Sequence, residues 1–155
     1  MKRLAVWMMV MAALALVPAR SGAGVLEEKK KVDAYKEAAL KEPGAVKTSS
    51  GLIFRTLRPG DGPSPKATST VKVHYEGTFI DGKVFDSSLQ RGEPAEFPVS
   101  GVIRCWTEAL QRMKVGEKAK LVCPPGIAYG DRGSPPSIPP GSTLVFEVEL
   151  LQIVK

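Results

Sequence analysis

Downstream of Gly51 the amino-acid sequence carries a single helical stripe, and it is short. Trp106, Ala109, Leu110 and Met113 stand at i, i+3, i+4 and i+7, the spacing of one helical face. Lys114 falls in the expected last turn, and Gly116 sits where a left-handed C-terminal cap belongs. A helix of about two turns does not persist alone in water, because nucleation costs more than so few hydrogen bonds return. The stripe must therefore be packed against neighbours, and the segments on both sides read as strand.

Residues 52–57 form the first of these, ended by Pro59-Gly60-Asp61-Gly62-Pro63. Residues 70–77 alternate, with Val71, Val73 and Tyr75 on one face and Lys72, His74 and Glu76 on the other. Asp81-Gly82, between Phe79-Ile80 and Val84-Phe85, is a hairpin signal. Ala119, Leu121 and Cys123 share a face opposite Lys118, Lys120 and Val122. Residues 142–154 turn Leu144, Phe146, Val148 and Leu150 inward, with Glu147 and Glu149 outward. One helix lying across a sheet is the expected α+β architecture. Before the last strand, residues 124–140 make a long proline-rich connection. Prolines fix φ and lower the entropy of the unfolded chain, and Ile127, Tyr129 and Ile138 give the segment something to pack with. A semi-rigid flap over one end of the sheet is expected.

The N-terminal part reads differently. Lys2 and Arg3 precede an apolar run over residues 4–17, and Ala19 or Ala23 marks a cleavage site. This is the layout of a secretory signal peptide, assigned to residues 1–23. The run is too short for a membrane span, so no stable span is expected after processing. No Cys stands near the junction to carry a lipid. Residues 24–50 form a charged arm with Val32, Tyr35 and Ala39 at helical spacing, ending before Pro43-Gly44. This arm is expected to be solvated and partly frayed, with residues 51–155 as the folded domain. Removing Lys2, Arg3 and Arg20 from the formal charge of +6 leaves +3, without a basic run. A nucleic-acid partner is not expected. In an oxidising compartment Cys105 and Cys123 are either bridged or simply buried, and both readings stand.

Conventional catalytic machinery is scarce. The one histidine, His74, alternates onto a polar face, and no Gly-x-Ser-x-Gly surrounds a serine. One His and two Cys lack zinc-ligand spacing, and no nucleotide-binding glycine motif is present. Neither a metal nor a cofactor is expected, and any reaction should need little proton transfer. What the chain does concentrate is aromatic and aliphatic surface near turns. Tyr75, Phe85, Trp106, Tyr129 and Phe146 fall in five separate elements, with Val102 and Ile103 just before the helix. These residues suit a core equally well, except that Trp106 opens a helix and Tyr129 lies in the flap.

Several blocks in order resemble the FKBP-type peptidyl-prolyl isomerases, the macrolide-binding immunophilins. They are Val73-His74-Tyr75-Glu76-Gly77, then Asp81-Gly82-Lys83-Val84-Phe85-Asp86-Ser87-Ser88, then Val102-Ile103-Arg104-Cys105-Trp106. Met113-Lys114-Val115-Gly116-Glu117, Ala128-Tyr129-Gly130, Ile138-Pro139-Pro140 and residues 144–150 continue the series. With the signal peptide, the chain is similar to the periplasmic macrophage infectivity potentiator group. Those often carry a long helical dimerisation domain, whereas only the short arm stands here.

The resemblance implies an FKBP-like half-barrel: a bent antiparallel sheet of about five strands wrapped around the short helix, with a pocket between them. Trp106 would be its floor and Tyr75, Phe85, Val102, Ile103 and Phe146 its walls. Asp86 and Tyr129 would supply polar groups at the rim, and the Ile103 N–H would donate to a ligand carbonyl. Arg91 matches the residue that holds the pocket Asp, and Phe97, Val102 and Ile138 join Arg91 as substrate-binding residues. A further aromatic wall residue of many members is replaced by Ala95, which should open that side, and residues 97–102 are shorter than in small cytosolic members. Cys105 stands where Gly is frequent, which points to a local bridge with Cys123. The implied activity is rotation of X-Pro bonds in exported polypeptides, in the periplasm or outside the cell, with inhibition by macrolides of the FK506 and rapamycin class. A chaperone-like or non-catalytic peptide-binding module on the same fold is the alternative.

Overall fold

The computed structural model describes residues 22–155. The expected signal peptide, residues 1–23, lies almost wholly outside them. No helix among the described residues is long and apolar enough to cross a membrane. The chain divides into two units after Ala34. In the first, the described part belongs to helix α1, Gly22–Lys41, where Lys29 Nζ donates to Asp33 Oδ2 at 2.9 Å one turn on.

The second unit is built on one antiparallel sheet. Its strands are β1 (Val46–Lys47), β2 (Ile53–Arg58), β3 (Thr70–Phe79), β4 (Val84–Ser87), β5 (Ala95–Pro98), β6 (Lys118–Cys123) and β7 (Leu144–Ile153). They run in the order β1-β2-β6-β7-β3-β4, and β5 pairs with β3 beside β4. The sheet does not close on itself. Register shifts at Thr56/Arg58, Lys72/Val73 and Gly77/Thr78 interrupt the ladders, and bulges of this kind bend a strand. The resulting concave face receives the helix, as an FKBP-like half-barrel requires. Period-two burial accounts for the choice of face: Val71, Val73 and Tyr75 are buried on β3, and Leu144, Phe146, Val148 and Leu150 on β7.

Two strands escaped the pattern reading. β1 has only two residues, and β5 only four, flanked by Pro94 and ended by Pro98. Neither is long enough to show an alternation.

Helix α2 (Ser88–Arg91) is a single turn capped by the Ser87 side chain, and helix α3 (Arg104–Arg112) is the expected central helix. α3 buries Cys105, Trp106, Ala109 and Leu110. Its end differs from the expectation. The C-cap is Met113, in extended backbone, and the side chain at that position is wholly buried. Turning Met113 into the core outweighs one more helical residue. Gly116 is therefore not the helix cap. At φ +94° it serves a separate turn, where Glu117 N donates to Lys114 O at 2.9 Å, a backbone conformation that glycine adopts without steric cost. Glu117, only 6% exposed, fastens this turn. Its Oε1 accepts from Lys114 N at 3.0 Å and its Oε2 from Thr56 Oγ1 at 2.8 Å.

The compact unit also takes in residues that the sequence assigns to the arm. Ile53 and Val122 are register partners on the convex face of the sheet, and Ala39 buries them with help from Tyr35 and Ala45. Lys120 Nζ lies 5.5 Å from the Tyr35 ring centre and 3.1 Å from Glu42 Oε1, and Arg55 Nε donates to Pro43 O at 2.9 Å. Burial opposes the Lys120 charge, but the hydrogen bond it donates to Glu42 and the neighbouring Tyr35 outweigh it and raise its pKa. The last turns of α1 are thus docked rather than frayed, because they cover the Ile53–Val122 pair on the outer face of the sheet.

Candidate functional site

A cavity of about 440 Å³ opens between α3, β3, β4, β5, β7 and the loops that flank them. Tyr75, Phe85, Asp86, Phe97, Val102, Ile103, Trp106, Tyr129 and Phe146 line it, together with Gly101. Nine residues named from the sequence therefore meet around one space, although they come from well-separated stretches. Gly101 is the one that sequence reasoning missed. It has no side chain to recognise and contributes backbone at the end of a 3-10 turn, Val99–Gly101.

Trp106 organises the interior. Tyr75, Phe97 and Phe146 stand around its indole with ring centres at 5.1, 5.5 and 5.3 Å and interplanar angles of 82°, 89° and 84°. Edge-to-face contacts of this kind are favoured by the aromatic quadrupole. They hold the indole as a rigid surface among near-perpendicular rings, and Phe85 extends the wall through Phe146 at 5.6 Å. The Trp106 Nε1 is buried without a hydrogen-bond partner among the described residues. Ile103 is the N-cap of α3 and provides no side-chain cap, and its own N–H makes no hydrogen bond among the described residues. A free backbone donor beside the positive end of a helix suits a carbonyl oxygen.

The rim is polar and tightly tied. Tyr75 Oη donates to Asp86 Oδ2 at 2.6 Å, Arg91 Nη1 to Asp86 Oδ1 at 2.6 Å, and Arg91 Nη2 to Tyr75 Oη at 3.0 Å. The three side chains close a ring of hydrogen bonds, with the guanidinium carbon 5.7 Å from the Tyr75 ring centre. The turn of helix between Ser87 and Gly92 brings Arg91 back over Asp86. Burial works to raise the Asp86 carboxyl, but the hydrogen bonds from Tyr75 and Arg91 outweigh it and hold the carboxyl below its ordinary value. Burial, reinforced by the bond to Asp86, pushes the Tyr75 phenol up. Tyr129 is likewise raised, by burial first and by the Asp86 charge second. At neutral pH the rim therefore presents one carboxylate, already compensated, and two neutral phenols.

Two expected residues stand elsewhere. Arg91 lies outside the lining and acts on it through Asp86 and Tyr75. Ile138 is not brought to the cavity: it is 4% exposed within the main core, with Ser134 N donating to its carbonyl at 2.8 Å. That small bridge inside the flap turns the Ile138 side chain to the core. Ala95 also stands outside the lining, half-buried against the core, and Phe97 two residues on forms the wall. Cys105 and Cys123 are joined, with Cα atoms 5.9 Å apart, a separation that suits a disulfide.

The described residues thus form an open half-barrel that holds an aromatic-floored cavity against one short helix. A model of the FKBP-type peptidyl-prolyl cis-trans isomerase family matches residues 62–151, and the chain belongs to that family. It is 58% identical over 120 residues to the FKBP-type 22 kDa peptidyl-prolyl cis-trans isomerase of Escherichia coli, covering 77% of this chain and 58% of that one. FK506-binding protein 1 of Rhizopus delemar is 50% identical over 106 residues, covering 66% of this chain and 98% of the relative. The crystal structure of FkpA from Escherichia coli superposes with a TM-score of 0.78 at 44% identity, covering 96% of this chain and 71% of that one. The chain thus spans little more than half the length of the bacterial relative just named.

Proposed function

We propose that the chain is a peptidyl-prolyl cis-trans isomerase that acts on proline-containing polypeptides exported with it, in the periplasm or outside the cell. The observation that carries this reading is the Trp106 surface fenced by edge-on rings, with the unpaired Ile103 N–H on the adjoining wall. The export part is supported by the charged and apolar layout of residues 2–17.

Rotation about an amide meets a barrier of roughly 18–20 kcal/mol because resonance must be broken. X-Pro bonds are suitable substrates, since their two isomers are close in energy yet exchange over tens to hundreds of seconds. The twisted amide has lost delocalisation, and its carbonyl is less polar than that of the planar form. An apolar cavity that excludes water favours the twisted form, which is differential binding without a nucleophile. In this reading the prolyl ring rests on Trp106, the Ile103 N–H holds the carbonyl after it, and Asp86 lies beside the carbonyl that swings. Each factor of ten in rate requires about 1.4 kcal/mol, within reach of a few such contacts. The same surfaces would take a macrolide of the FK506 or rapamycin class, as the name of the Rhizopus delemar relative suggests.

The test is cis-to-trans conversion of short X-Pro peptides by the wild type, Asp86→Ala and Trp106→Leu. Both variants are expected to remain folded and to lose about tenfold or more in kcat/KM, and a macrolide should abolish the wild-type rate. Unchanged rates in both variants would remove the site assignment. Capture of unfolded protein without any acceleration would favour a chaperone-like binding module.

A further inference from the structure

The first turn of α3 is fastened twice to the root of the flap. Cys105, wholly buried, is bonded to Cys123, the last residue of β6. Beside it, Arg104 Nη2 donates to Gly126 O at 2.6 Å. Gly126 belongs to a 3-10 turn, Pro125–Ile127, and that turn leads into Tyr129. Ala128 N and Gly130 N both donate to Pro125 O, at 3.0 and 2.8 Å, so the backbone around Tyr129 is referred back to the same anchored turn.

On the helix side the fastenings lie between two cavity residues. Ile103 immediately precedes Arg104, and Trp106 immediately follows Cys105. The two fastenings therefore tie the stretch that carries Ile103 and Trp106 to the one that leads into Tyr129, and all three residues line the cavity. The fold has other means of holding each stretch. Trp106, Ala109, Leu110 and Met113 bury α3, and Ile127 and Ile138 pack the flap on the core. The fastenings add a direct tie between the two stretches at the uncapped end of a nine-residue helix.

We propose that the Cys105–Cys123 disulfide and the Arg104–Gly126 hydrogen bond are positioning elements of the pocket, setting the distance across which a prolyl segment spans from the Ile103 N–H to Tyr129. This rests on the prolyl-isomerase reading. A gap set in advance spares the ligand the cost of ordering it, so the consequence should fall on substrate affinity more than on turnover.

The experiment compares the full chain with Arg104→Ala, Arg104→Lys and the double variant Cys105→Ala/Cys123→Ala. Steady-state isomerisation of a short X-Pro peptide and residue-resolved amide hydrogen exchange are measured on each. KM is expected to rise about three- to tenfold in Arg104→Ala and in the double variant, with a smaller change in kcat. Arg104→Lys keeps a donor and should recover most of the loss. Protection should fall at residues 126–130 and in the first turn of α3, while β3 and β7 keep theirs. Unchanged KM in both Arg104→Ala and the double variant, with only the melting temperature of the latter reduced, would overturn the proposal. Should the double variant not fold, the two Arg104 variants decide alone. A wild type without isomerase activity would count against the functional reading and not against the fastening. The exchange pattern of Arg104→Ala would then decide: loss confined to residues 126–130 and the helix start upholds it, and wild-type protection overturns it.

Discussion

At Gly77 the chain has no room for a side chain. A Cβ built there would stand 2.6 Å from Phe85 Cζ and 2.9 Å from Phe146 Cε1, so two cavity rings close over bare backbone. The position of Asp86 is as tightly determined, and its ionisation can be followed from outside. Its folded-state carboxyl lies below the ordinary value, so acidification protonates the unfolded chain first. The stability contributed by the ionised carboxylate is present above the unfolded value and is lost as pH falls through the folded one. The melting temperature of the wild type should therefore approach that of Asp86→Asn as pH is lowered from about 4. Parallel dependence of the two melting temperatures on pH across that range would show that ionisation of Asp86 is not linked to folding. Single residues were unevenly legible in the sequence. Tyr75 announced its inward face through alternation, whereas the tie between Arg91 and Asp86 could be named only from the family resemblance. Ile138 failed because an apolar residue in a loop carries no mark of whether it faces a core or a cavity.

Elements were more legible than their ends. The i, i+3, i+4, i+7 stripe located α3, yet its last turn was misread because Gly116 is a sufficient signal for either a helix cap or a separate turn. What decides between them is tertiary: Met113 has a buried site waiting for it, and Glu117 has Thr56 and the Lys114 amide. A carboxylate serving a turn from within the core leaves orphaned donors when removed. Glu117→Ala is expected to lower unfolding free energy by about 1–3 kcal/mol, read from urea midpoints, and Glu117→Gln by less because an amide oxygen still accepts. Equal losses in both variants would argue that packing volume and not hydrogen bonding is what matters there. The hairpin at Asp81-Gly82 needed no such arbitration, since Gly82 N donates to Phe79 O at 2.9 Å as the dipeptide leads one to expect.

The second unit as a whole carries a feature that no local pattern announced, the docking of the last turns of α1 on the convex face of the sheet. The sequence groups Val122 with Lys118 and Lys120 on the outward face, and alternation alone does not say that it is covered. Ala39, 4% exposed, covers it together with Ile53. Ala39→Asp would place a carboxylate against these two side chains and is expected to lower the melting temperature by several degrees, at a cost of about 1–3 kcal/mol. Isomerase activity per folded molecule should be unchanged, because the cavity lies on the other face. A melting temperature equal to that of the wild type would show that the helix end contributes no stability there. The order of the strands has a consequence for how such a domain comes into being. β7, the last strand in chain order, runs down the middle of the sheet between β6 and β3. Until it arrives, β3 with its partners and β2 with β6 are two separate fragments, and the wall bearing Phe146 does not exist. Phe146 is thus the last cavity residue to be made, and it reaches the other lining residues only when the central strand pairs on both sides at once.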